Sequence, residues 1–132
     1  MNDQTTATGA DSTTDTNLVV LRGCVHGDPL SRTLPSGVEV LQFDLATAIA
    51  ADGRTSTNSV PVAWTDPGTG GTALVTNGVE LVVIGSVRRR FFRVAGATRS
   101  RTEVVADSVI PTRRRKRVAA ALGRAAARLA IA

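Results

Sequence analysis

Glu80-Leu81-Val82-Val83-Ile84-Gly85-Ser86-Val87-Arg88-Arg89-Arg90-Phe91-Phe92 opens as a β-branched apolar run and closes on arginines and paired phenylalanines. Branching at Cβ suits a pleated backbone and packs well against cross-strand neighbours, so the run reads as one strand. Side chains alternate across a strand. Arg88, Arg90 and Phe92 therefore share one face, and Val87, Arg89 and Phe91 share the other, with Phe91 directed inward. A strand leaving a core can present the row Arg88, Arg90, Phe92 to a groove. The competing reading keeps Phe92 in the core and leaves the arginines as a solvated strand end.

Four further short runs, residues 18–25, 39–48, 57–64 and 101–110, have the same β-branched character. Between the runs stand Gly27-Asp28-Pro29, Pro35-Ser36-Gly37, Asp52-Gly53, Asp66-Pro67-Gly68 and Ala95-Gly96, where glycine freedom or proline restriction makes turns or loops. Five strands predict an all-β fold, one closed barrel, over residues 17–112. Residues 71–77 could form a short helix capping the barrel's end, weakened by glycine and threonine. The Gly68-Thr69-Gly70-Gly71 segment lacks the Lys-Ser/Thr of a phosphate-binding loop and reads as a flexible loop. Residues 1–16, polar and carrying Asp3, Asp11 and Asp15, read as a disordered leader. Residues 113–132 form a basic tail, Arg113-Arg114-Arg115-Lys116-Arg117 followed by alanine, leucine and arginine. It is expected to be helical, with Val118, Leu122 and Leu129 on one face and Gly123 as a weak point.

A chain of 132 residues with 42% hydrophobic content can bury one modest core. Its formal charge of +5 favours a polyanionic partner. From Arg88 onward the only acidic residues are Glu103 and Asp107, so the positive field is concentrated in the C-terminal part. Arginine outnumbers lysine, which suits planar contact with phosphates and stacking on bases. Cys24 has no cysteine to pair with and His26 is the one histidine, so neither a disulfide nor structural zinc is expected. Cys24 itself reads as a small buried hydrophobe in an apolar strand. His26 has no recognisable nucleophile beside it, and neither an enzyme nor a cofactor is expected. With no secretory signal and no uncharged apolar stretch long enough for a bilayer, the expected setting is a reducing cytoplasm, away from membranes.

A protein that holds unpaired nucleic acid without strong sequence preference needs aromatic platforms beside a cationic groove, each stacked base being worth roughly 1–3 kcal/mol. The chain has one tryptophan and three phenylalanines. Trp64 shares a strand face with Val60 and Val62, and both core filler and stacking platform fit it.

Residues 17–110 resemble the oligonucleotide-binding domain of the bacterial single-stranded-DNA-binding proteins. The resemblance rests on Asn17-Leu18-Val19-Val20-Leu21-Arg22-Gly23, on Gly27-Asp28-Pro29 and Arg32, and on Gly37 and Phe43-x-Leu45-Ala46-Thr47. It continues through Trp64, Gly78, Val82-x-x-Gly85-x-Val87-Arg88 and Thr102-Glu103-Val104-Val105-Ala106, in order and with family-like spacing. It implies an OB-fold, a five-stranded Greek-key barrel, that binds single-stranded DNA without catalysis. It further implies a homo-oligomer, tetramer or dimer, acting in replication, repair or recombination in a cytoplasmic, nucleoid-associated setting. By position, Trp64 and Phe92 match stacking aromatics, Arg32, Arg88 and Arg90 would meet phosphates, and Phe91 is a second-rank contact. Two aromatic positions of the family fall on Asn58 and near Ala51, and the acidic C-terminal tip is replaced by Arg128-Leu129-Ala130-Ile131-Ala132. These departures point to a divergent paralogue. They also leave room for two rivals: an interaction protein that co-assembles with another single-stranded-DNA-binding protein, and an RNA-binding barrel. The basic tail either holds phosphates in place of the missing aromatics or is an unattached solvated segment, with contact to acidic lipid a lesser alternative.

Overall fold

Alternation is clearest in Leu41, Phe43 and Leu45, which are buried, while Val40, Gln42 and Asp44 between them are only half-buried. In the computed structural model, which describes residues 15–129, such runs give five strands and two helices. The strands are β1 (Val19–Thr33), β2 (Glu39–Ala51), β3 (Arg54–Thr65), β4 (Glu80–Val94) and β5 (Ala97–Pro111). Helix α1 (Gly68–Leu74) lies between β3 and β4, and helix α2 (Arg115–Arg128) follows β5. The strands close into a barrel in the order β1-β2-β3-β5-β4. All pairings are antiparallel except β3 with β5, where Val62, Ala63 and Trp64 run parallel to Val104, Val105 and Ala106. The expected all-β barrel of five strands is what forms. Most of the expected leader lies outside the described residues.

Three local expectations differ from the structure. Gly27-Asp28-Pro29 does not end a strand: β1 continues to Thr33, and the irregularity is absorbed as a register shift between His26 and Leu30. Cys24 is exposed rather than buried, because it points away from the barrel interior to which its neighbours Gly23 and Val25 belong. Gly68–Gly71 is not a flexible loop but the start of α1, and Gly71 is packed against Trp64: a Cβ there would lie 2.7 Å from the indole Cη2.

The main core fills the barrel with Val25, Leu41, Phe43, Leu45, Val62, Leu81, Val83, Val104 and their neighbours. A second core lies outside the barrel wall, where Val82, Ile84 and Ile110 meet Ala121 and Ala125 of α2, with Leu18 and Val118 at its margin. This explains why residues 81–85 are buried without alternation: the interior covers one face and α2 the other. Burying a side chain of the size of Val82 or Ile84 contributes about 1.5–3 kcal/mol. The basic segment is therefore a docked helix, and the unattached-tail reading is set aside. Its buried face is Ala121 and Ala125, not the expected Val118, Leu122 and Leu129 row; Leu122 and Leu129 are exposed. Small alanine side chains let the helix axis approach the valine and isoleucine surface, which leucines would hold away.

Where β4 and β5 leave the barrel they form a long hairpin closed by Ala95 (φ 51°) and Gly96 (φ 82°). Two successive left-handed residues make the turn that matches the twist of a two-residue hairpin. Alanine is poor at the first position because its Cβ resists positive φ. Ala95→Asn is expected to stabilise the protein by about 0.5–1 kcal/mol, read as a higher urea midpoint; an unchanged or lower midpoint would count against the turn geometry. The base of the hairpin is held by Asn17, whose side-chain N–H donates to the Val87 carbonyl at 2.7 Å while its oxygen accepts from the Val87 N–H at 2.9 Å. The amide acts as one more rung of the β1–β4 ladder, immediately before Arg88.

At the other end of β4, the Glu80 carboxylate accepts from the Thr112 hydroxyl at 2.8 Å and from Arg22 Nε at 3.2 Å. Thr112, and then Arg22, holds its pKa below the ordinary value. A lowered folded-state pKa means that this clamp favours folding above the ordinary carboxylate range and is lost as pH falls through it.

Candidate nucleic-acid interface

Beyond the bulge at Gly85, β4 keeps strict opposition to β5: Arg88 faces Glu103, Arg90 faces Arg101 and Phe92 faces Arg99. Residues two apart on β4 share a side, so Arg88, Arg90 and Phe92 form one row, as the sequence predicts. The Arg90 guanidinium carbon lies 5.4 Å from the Phe92 ring centroid, within cation–π range. Phe92 is half-buried and belongs to neither core cluster, which removes the reading of Phe92 as a core residue. Phe91 is a correction: it is 66% exposed, not inward. By that point the hairpin has left the barrel, so there is no interior for the second face to enter.

The row opens onto a cavity of about 260 Å³ on the outer wall, lined by Arg32, Leu34, Val40, Gln42, Ala63, Thr65, Arg88, Arg90 and Glu103. Arg32 comes from the end of β1, so three of the arginines picked out in the sequence converge here although they are far apart in the chain. Arg32 makes no ion pair among the described residues. At the cavity floor Glu103 is 3% exposed. Its Oε2 accepts from Arg88 Nη2 and stands 3.5 Å from Arg90 Nε. Arg90 Nε is itself buried and has no hydrogen-bond partner among the described residues.

Glu103 is the residue that sequence reasoning missed. It stands out only as a carboxylate in the run Thr102-Glu103-Val104-Val105-Ala106, and its role needs the β4–β5 register that sets it opposite Arg88. A buried carboxylate beside two guanidiniums holds their heads at fixed positions. It also cancels part of their charge.

Trp64 is not part of this groove. It shares the interior side of β3 with Val60 and Val62 and packs on the main core, whereas Ala63 and Thr65 of the same strand face the groove. The half-buried indole lines a different cavity, with Arg117 and Arg124 of α2. The expected set therefore divides: Arg32, Arg88, Arg90 and Phe92 on the groove side, Phe91 on the far face of the hairpin, and Trp64 across the barrel wall.

Residues 16–111, well over half of the chain, match the Single-strand binding protein family. The chain belongs to that family. Membership supports single-stranded-DNA binding as the general activity, in a family of binders rather than catalysts. No curated protein matches the chain significantly. The family match ends at Pro111, so α2 lies outside it. Among the described residues no helix is long and apolar enough to cross a membrane.

Proposed function

We propose that the chain binds single-stranded DNA, without catalysing a reaction, along the outer groove, with Arg32, Arg88 and Arg90 meeting phosphates and Phe92 stacking on a base. The observation that carries this reading is the convergence of three guanidiniums, from two strands far apart in the chain, on one cavity beside a partly exposed ring. Guanidiniums meet phosphate oxygens in a planar fork, and every base has a π-face, so this chemistry holds a strand whatever its sequence. Phe91, exposed on the far face, is a secondary contact. Family membership also supports the wider reading: a homo-oligomer, dimer or tetramer, serving replication, repair or recombination in the cytoplasm at the nucleoid.

Arg32→Ala provides the cleanest test, because no carboxylate is orphaned by its removal. Anisotropy of a labelled oligo-dT at several salt concentrations should give a slope of log affinity against log salt shallower by about 0.7, the loss of one phosphate contact on a single strand. An unchanged slope would remove Arg32 from the interface.

Glu103→Gln should act in the opposite sense on binding. The amide keeps the shape of the carboxylate but no longer competes with phosphate for Arg88 and Arg90, so oligo-dT affinity rises. Stability falls by about 1–2 kcal/mol, less than for a fully enclosed ion pair because Arg88 is half-exposed and can be rehydrated. Affinity that stays level or drops would reject the competition between carboxylate and phosphate.

A further inference from the structure

Helix α2 reaches the barrel through Ala121 and Ala125, which leaves its two flanks free to carry other chemistry. On one flank Arg117, Ala120 and Arg124, spaced three and four apart, align along the helix. They line a cavity of about 350 Å³ together with Trp64, Asp107, Ser108, Val109 and Ile110. That volume lies within the range of small-ligand pockets, ~300–1,000 Å³, and is of a size to take one nucleotide.

The electrostatics of this cavity favour an anion. Neither Arg117 nor Arg124 has a carboxylate partner among the described residues, while Arg128 stands 3.4 Å from Asp107 and so occupies the one acidic group of the cavity. Trp64 contributes the ring. Gly71 backs it closely enough that a Cβ there would lie 2.7 Å from the indole, so α1 fixes its orientation.

We infer that the junction of Trp64 with α2 is a second subsite for the same single strand, the phosphate lying between Arg117 and Arg124 and the base against the indole. The inference rests on the proposed binding at the outer groove and extends it around the barrel. Trp64 on the inner side of β3 and Thr65 on the outer side are adjacent residues, and each lines one of the two cavities, so the path from one subsite to the other runs past the end of that strand. A short strand fills the groove alone. A longer one passes the end of β3 and reaches α2.

Deleting α2 would be a poor test, because it would bare Val82, Ile84 and Ile110. Substituting Arg117→Gln and Arg124→Gln together keeps good helix formers on exposed positions and leaves the docked face untouched. A thermal melt should match that of the parent protein. Labelled oligo-dT of about 4 and about 16 nucleotides spans the usual range for one such barrel, and the binding of both is followed by anisotropy. For the longer oligomer the double variant should lose about 0.7 in salt slope, the one phosphate that Arg117 and Arg124 share, with no change for the shorter one. Trp64, the one tryptophan of the chain, should respond in intrinsic fluorescence to the longer oligomer and not to the shorter.

If both oligomers bind while the double variant keeps the parental slope, or the indole emission does not move at saturation, the subsite is rejected and the groove stands. If neither oligomer binds, the groove reading fails and takes the subsite with it.

Discussion

Gly85→Ala is expected to lower the unfolding free energy by about 3 kcal/mol, the upper end of what overpacking costs, out of a total of roughly 5–15 kcal/mol for a domain. A Cβ at this position would overlap the carbonyl oxygen of Val105 and stand 2.8 Å from its carbonyl carbon and 3.0 Å from Ala106 Cα. Every one of these atoms is backbone, so no side chain can swing aside. The crowding occurs where the β4–β5 register shifts between Ile84 and Gly85, a bulge that bends the sheet to close the barrel. Relief would have to come from the seam itself. Gly23→Ala meets the same obstacle at the Ala46 carbonyl and belongs in the same experiment. Gly123→Ala is the control of opposite sign. Nothing lies within 4 Å of its missing Cβ, and alanine in a helix interior gains about 0.5–1 kcal/mol over glycine. Urea denaturation of the three variants should place Gly85→Ala and Gly23→Ala far below the parent and Gly123→Ala above it. A parental midpoint for Gly85→Ala would mean that β4 and β5 do not approach as closely as described.

Phe92→Ala is expected to weaken binding of oligo-dT by on the order of ten- to a hundredfold, from the roughly 1–3 kcal/mol that one stacked base contributes. The loss has two sources. The platform itself disappears, and Arg90, whose guanidinium rests 5.4 Å from the ring centroid, loses the surface that orients it. Because Phe92 lies outside both core clusters, the melting temperature should stay near that of the parent. Phe91→Ala, on the opposite side of the hairpin, should cost much less. Anisotropy titrations beside thermal melts separate the outcomes: a variant that binds normally removes Phe92 from the interface, and one that unfolds makes it a structural residue after all.

In this protein the groove charge is set by how many guanidiniums are free, not by how many are present. Arg88 and Arg90 are partly neutralised at the floor, Arg32 is not, and the arginines of α2 carry their charge to another wall of the barrel.

Local patterns in the chain determined the barrel and the central row of its groove. Branched residues in short runs gave five strands, and a repeat of two put Arg88, Arg90 and Phe92 side by side, because that alternation is a property of one strand and needs no partner. The tertiary structure decided the rest. It made Glu103 a counter-ion through a register with β4 that its own neighbours do not encode. It took Trp64 away from the groove, since that residue's side of β3 faces the interior. It turned α2 so that alanines rather than leucines met the barrel, because a helix face is chosen by the shape and closeness of the surface it covers and not by its apolar residues alone. It left Phe91 in solvent, because an inward face has meaning only while there is an interior for the strand to line.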